Sequence, residues 1–371
     1  MEHAGERALW AYHPLNAGQA AILLIIPYER VTALARTAEE FLLEESTLWL
    51  EVTGLALLVV AAAALILAAR RARIFTEPIR ELTDASMKLA NGNYDVQVQI
   101  GTQDELEELG RIFNETVGKL KERQKIKRSL ELAKLIQQNL LPQKAPDLAG
   151  LDIAGQCVYC DETGGDYYDF IEMPDARGHL VGIALGDVTG HGIGAALLMA
   201  SIRSALRAEA RHYGRDLVGL FGELNKQIVR DTEEDKFVTL FYGLLDQNAR
   251  SLMWASAGHD PALLYRAESG QIVELGNTGM LMGLIEDAPF EQAGPLSLES
   301  GDVLVVGTDG IWEARNYEGR LFGKDRLCDI IRDGAGQTAR ELCATVTDGV
   351  VEFVGSAPRS DDITLIVIKS V

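Results

Sequence analysis

Four short acidic motifs stand far apart in this chain: Gly164-Gly165-Asp166, Gly186-Asp187-Val188-Thr189-Gly190-His191-Gly192, Thr308-Asp309-Gly310 and Asp361-Asp362-Ile363-Thr364. Each sets a carboxylate beside glycine or another small residue at the margin of an apolar run. Taken singly, an Asp next to Gly is more often a turn or a helix cap than a ligand. Gathered in one cleft, such carboxylates cannot all stay ionised without a cation, and an oxygen-only donor set favours Mg²⁺ or Mn²⁺.

The elements that must position them follow from hydrophobic patterning. Apolar runs predict strands at residues 151–158, 168–173, 180–187, 238–245, 251–257, 262–266, 303–307 and 363–369, and helices at 194–213 and 217–231. The motif aspartates then fall at strand ends, where distant segments can converge. Clustered strands with paired helices between them give an α+β layered fold.

Of the 371 residues, 55 are acidic and 35 basic, a net charge of −20. The asymmetry is local: from Leu151 onward 35 acidic residues face 18 basic ones. A surface of that sign repels nucleic acid and anionic lipid, so nucleic acid is excluded as the partner of this region. Cys157 and Cys160 have Cys-x-x-Cys spacing, but Cys328 and Cys343 do not supply a second close pair, so the thiols read as incidental and suit a reducing compartment.

Val52 to Ala69 is an uncharged run of 18 residues, preceded by Trp49 and followed by Arg70, Arg71 and Arg73. It predicts a transmembrane helix over 48–69 with the downstream chain cytoplasmic. Residues 1–47 then lie outside, with one strand at Ala20 to Ile26 and a helix to Glu45, and read as the remnant of a truncated extracytoplasmic sensor. Beyond the membrane, Ile79, Leu82 and Leu89 make one stripe, Asn91-Gly92-Asn93-Tyr94 breaks it, and Leu106, Leu109, Phe113 and Leu120 make another. The stripe slips through the basic stretch Lys121 to Arg128 and resumes at Leu130, Ala133 and Leu140. Pro142 ends that linker helix.

Two resemblances emerge from these residues. Two amphipathic helices behind a membrane span, the first entered at Pro78 and the second at Asp104-Glu105-Leu106, resemble a HAMP signal-relay domain over 70–123, which implies a homodimer; 124–150 is a helical linker. Over 151–371 the four acidic motifs, joined by Thr239-Leu240-Phe241-Tyr242-Gly243 and Ala257-Gly258-His259-Asp260-Pro261, resemble the PPM metal-dependent serine/threonine phosphatases, in the bacterial branch of the sporulation phosphatase E and the stress-response activators. That resemblance implies a β-sandwich flanked by helices and two ions, Mn²⁺ or Mg²⁺, per site. By analogy Asp187 bridges the ions, the Val188 carbonyl assists, Asp166 holds one ion and Asp309 with Asp361 or Asp362 the other; spacing leaves those last two open. His191 is a candidate general acid, although its loop is one residue longer than the usual pattern. Asp169 and Asp302 read as capping or supporting groups, and His259 as a turn residue. The implied substrate is a phosphorylated STAS-domain regulator, such as an anti-sigma-factor antagonist.

Two other classes fit these residues less well. A non-catalytic scaffold would not keep a complete acidic set. A nucleotide-cyclising reading of Gly164-Gly165-Asp166 requires a second acidic residue where Tyr167 stands, and leaves the later motifs unexplained.

Overall fold

The computed structural model of the chain describes all residues except 1, 4–5, 16–19, 162, 176–177, 191 and 233–235. It divides into two compact units, Met1–Glu122 and Arg123–Val371.

In the first unit, strands β1 (Glu2–His3), β2 (Glu6–Leu15) and β3 (Ala20–Pro27) form an antiparallel sheet. β3 lies where the apolar run predicts it, but the sequence does not predict its hairpin partner β2, whose apolar and charged residues do not alternate cleanly. Helix α1 (Tyr28–Ala90) is continuous and contains the stretch long and apolar enough to cross a membrane. Pro78 therefore lies inside a helix instead of opening one. The connector after Ala90 returns along the helices by burying Val96 and Val98, and the Asn114 amide holds Val98 through both its backbone N–H and its C=O, at 3.0 and 2.9 Å. Asp104 caps α2 (Glu105–Leu140) by accepting from the Leu106 amide.

The second unit is built on two antiparallel five-stranded sheets. One has the order β10-β9-β12-β13-β4 and the other β11-β8-β7-β6-β5. The strands are β4 (Leu151–Val158), β5 (Tyr167–Asp175), β6 (Gly178–Val188), β7 (Val238–Asp246), β8 (Ser251–Ala257), β9 (Ala262–Arg266), β10 (Gln271–Leu275), β11 (Ala293–Ser297), β12 (Val303–Gly307) and β13 (Ile363–Ser370). Helices α3 (Ile193–Tyr213) and α4 (Leu217–Asp231) pack on one sheet, and α5 (Lys324–Asp333) and α6 (Ala339–Val354) on the other.

Period-two alternation explains the layers. Val181, Ile183 and Leu185 of β6 meet Leu304 and Val306 of β12 and Ile366 and Ile368 of β13 between the sheets. The intervening Leu180, Ala184 and Val188 face α3 and α4, while Val303, Val305, Leu365 and Val367 face α5 and α6. Both faces of each sheet are covered, so the central strands read as unbroken apolar runs although every pairing is antiparallel. The expected α+β sandwich flanked by helices is thus present.

Candidate active site

Strand register collects the acidic motifs. Tyr167 pairs with Gly186, so Asp166 and Asp187 stand side by side where β5 begins and β6 ends. On the other sheet Gly307 pairs with Leu365 and Ile363 pairs with Val158, which puts Thr308-Asp309 and Asp361-Asp362 at a shared edge.

The two edges are joined directly. The Thr308 hydroxyl donates to Asp166 Oδ2 at 2.8 Å, and the Thr364 amide donates back to Thr308 Oγ1 at 3.1 Å. His259 makes a second tie. Its Nε2 lies 3.2 Å from the Gly307 carbonyl, which can only accept, so Nε2 carries the proton and Nδ1 accepts from the Thr239 hydroxyl at 2.9 Å. Thr239 pairs with Asp187 and Gly307 precedes Thr308, so this buried imidazole spans both sheets behind the carboxylates. That is a larger role than ordering a turn. Burial drives its pKa down to about 4 and keeps it neutral.

Two glycines are required by close approach. A Cβ on Gly165 would lie 2.5 Å from the Val188 carbonyl oxygen, and one on Gly310 would lie 1.9 Å from the Asp362 carbonyl oxygen. These contacts press the Asp166 loop against Val188 and the Asp309 loop against Asp361 and Asp362.

The electrostatics follow from the crowding. Asp166 is buried, and burial followed by the Asp187 and Asp362 charges raises its pKa well above the carboxylate range. Burial, then Asp309, Asp361 and Asp362, pushes Asp187 up to about 7. Asp309 rises to about 6 through burial, then Asp361, Glu313 and Asp260. Such a set holds protons or a cation, and its donors are all oxygen, which fits a hard divalent ion. Among the described residues, no three His, Cys, Asp or Glu side chains stand as a ready metal-holding group. Asp361 and Asp362 differ: Asp362 is buried and accepts from the Cys160 amide at 2.8 Å, whereas Asp361 is exposed. His191 lies outside the described residues.

Asp169 sits behind this edge, completely buried. It accepts from the Tyr167 hydroxyl and from Nε and Nη2 of Arg207, each at 2.6 Å, and so anchors α3 to β5. Arg207 carried no motif signal in the sequence. Asp302 accepts from Arg266 and the Ala267 and Glu299 amides and organises the turn before β12. The four cysteines are free, and burial raises the Cys157 thiol well above its ordinary range.

The family described as Stage II sporulation protein E (SpoIIE) matches residues 177–371, more than half of the chain. The chain belongs to this family of PP2C-type phosphatases. A HAMP domain matches residues 70–122 ahead of the catalytic fold. The phosphatase is 30% identical over 246 residues to phosphoserine phosphatase RsbU of Bacillus subtilis, covering 66% of this chain and 71% of that one. It is also similar to the solved SiaA PP2C domain of Pseudomonas aeruginosa, with 27% identity, a TM-score of 0.56, and coverage of 67% of this chain and 97% of that domain. The RsbU and RsbW domains of a Mycobacterium tuberculosis protein match at 26% identity and a TM-score of 0.50, covering 60% and 61% of the two chains. As a member of this family the PP2C-type phosphatase is a metal-dependent serine/threonine hydrolase, and its HAMP domain sets that activity in signal transduction.

Proposed function

We propose that the chain is a membrane-anchored phosphatase that removes phosphate from phosphoserine or phosphothreonine on a STAS-type regulator, such as an anti-sigma-factor antagonist, under control of a HAMP dimer. The carrying observation is the convergence of Asp166, Asp187, Asp309 and the Asp361-Asp362 pair at one end of the sandwich. The similarity to phosphoserine phosphatase RsbU supports the substrate class.

Asp187 lies between the two carboxylate groups and is the candidate to serve both of two Mn²⁺ or Mg²⁺ ions, with the Val188 carbonyl beside it. Asp166 serves one side; Asp309 and Asp361 serve the other. Of the pair, Asp361 is the better candidate because it is the solvent-facing one; each accepts a backbone amide, Asp361 from Asp362 and the buried Asp362 from Cys160. When bound, such ions acidify a water and neutralise phosphoryl oxygens. The protein's own part is to hold the carboxylates in register, exclude solvent around Asp166 and keep His259 neutral at their back. His191 is proposed to protonate the leaving oxygen.

For the membrane, the support is the apolar segment of α1 leading into the HAMP domain. For the homodimer, it is the exposed apolar stripe of Ile79, Met87, Leu109 and Ile112 in a single chain. The function is tested by phosphate release from a panel of phosphorylated STAS proteins with Mn²⁺. Release by the parent and none by Asp187→Asn is expected; no release from any partner with any divalent metal rejects the reading.

A further inference from the structure

Toward the end of helix α2, Leu130, Ala133 and Leu140 form a half-buried stripe, Leu141 just beyond it packs against both cores of the sandwich, and the most deeply buried position within that stripe holds a polar residue, Gln137. A buried primary amide is unfavourable unless both its ends are paired. Here both are paired to one residue. Nε2 donates to the Gly164 carbonyl at 2.7 Å, and Oε1 accepts from the Gly164 amide at 3.2 Å. The amide orientation is fixed by this complementarity, since the Gly164 backbone offers one N–H donor and one C=O acceptor. Gly164 lies between β4 and β5, outside the sheet ladders, so the glutamine takes the place of a strand neighbour.

The three residues of that loop are each held by a different element. Gly164 is held by Gln137, Gly165 rests against the Val188 carbonyl, and Asp166 receives the Thr308 hydroxyl. The first anchor comes from the helix that continues out of the HAMP domain.

We propose that Gln137 is a positioning residue: it pins the Gly164 peptide to α2, so that a seated helix is required to present Asp166 to the metal centre. This rests on the phosphatase reading above. An apolar side chain of equal length would fill the same space without setting the loop, and a shift of α2 by a fraction of a turn would strip Gly164 of both partners.

The test uses the purified full chain, with Mn²⁺ alone for binding and p-nitrophenyl phosphate as the substrate for turnover. Gln137→Met keeps the volume and removes both hydrogen bonds; Gln138→Ala, an exposed neighbour, is the control. Calorimetric titration should show Mn²⁺ affinity falling on the order of tenfold in Gln137→Met and unchanged in the control, in line with the loss of two hydrogen bonds. At saturating Mn²⁺, kcat should stay within about twofold of the parent, as expected of a group that acts through a ligand. Should Gln137→Met unfold, Gln137→Glu, which retains the acceptor and loses the donor, is titrated in its place and should also bind more weakly. Parental Mn²⁺ affinity in a folded Gln137 variant overturns the proposal. Failure of the parent itself to bind Mn²⁺ would instead remove the phosphatase reading.

Discussion

Thr308 gives its hydroxyl proton to Asp166 across 2.8 Å, although 142 positions separate them. The bond crosses from one sheet to the other and fixes a carboxylate that is almost wholly buried. Replacing Thr308 with Val keeps the shape but leaves Asp166 and the Thr364 amide without this partner. Loss of a hydrogen bond to a metal-binding carboxylate weakens metal binding by about 10- to 100-fold. Thr308→Val should therefore need proportionately more Mn²⁺ for half-maximal activity, measured by metal titration of phosphate release.

Gly310 has no room for a methyl group, because the obstacle is the Asp362 backbone carbonyl and not a flexible side chain. Gly310→Ala must push the Asp309 loop away from Asp361 and Asp362. A stability loss of about 1–3 kcal/mol is expected from overpacking, with activity falling more than stability alone explains. Denaturant unfolding beside initial rates separates the two, and parental activity would show that the loops need not touch.

The central strands, α3, α4 and the acidic motifs are legible in the sequence because burial on both faces leaves long apolar runs and because glycine marks the ends where backbones meet; β10, β11, α5 and α6, which carry no such run, are not. The side-chain roles that stay hidden are those set by tertiary contact. Arg207 is one arginine among several on α3, and only folding places it over Asp169. Gln137 interrupts an apolar stripe, which in a sequence looks like a surface position. His259 stands in a motif that predicts a local turn role, yet its partners Thr239 and Gly307 lie 20 and 48 residues away. The different settings of Asp361 and Asp362, one exposed and one buried on the Cys160 amide, are likewise invisible to any spacing rule.

The carboxylate pKa values give a pH dependence with a definite sign. Asp187 is raised from 3.8 to about 7, so in metal-free protein the folded state binds more protons than the unfolded one across that interval. Metal-free stability should then fall as pH rises from about 4 to 7, and Asp187→Asn should flatten this limb. Protons compete with the ion for the same oxygens, so Mn²⁺ affinity should rise over the same range. Thermal melts with and without Mn²⁺ at several pH values check both slopes, and a metal-free melting point that climbs toward neutrality in the parent relative to Asp187→Asn contradicts the assignment.

His259 acts in the opposite direction. Its pKa is lowered from 6.5 to about 4 by burial, so its contribution is present above pH 6.5 and is lost as pH falls toward 4. Charging it would place an imidazolium between two sheets with its Nδ1 proton facing Thr239, whose hydroxyl would have to turn round. His259→Gln retains one donor and one acceptor without a titrating ring. The difference in stability between parent and variant should shrink progressively below pH 6.5, read from urea unfolding at each pH; a constant difference would show that the ring is not held neutral.

The Asp169–Arg207 pair tests whether α3 positions the metal loop or only covers the sheet. Asp169 is wholly buried while Arg207 is 41% exposed, so the two partners are unequal. Asp169→Asn leaves an amide that can still pair with the Tyr167 hydroxyl and a cation half in water; removing Arg207 leaves a buried anion whose nearest remaining cation is Arg203, at 3.9 Å, the costlier defect. Arg207→Met should therefore destabilise more than Asp169→Asn, by about 3 kcal/mol against about 2 kcal/mol. The double variant should recover part of the loss, because neither charge is then left alone. Since α3 starts at Ile193, just beyond the loop that carries Asp187 and Val188, both single variants should also lower Mn²⁺ affinity. If stability falls while Mn²⁺ affinity stays at the parental value, the pair secures only the helix, and the loop is set by its own contacts: Gly165 against the Val188 carbonyl, and Thr189 against Phe237.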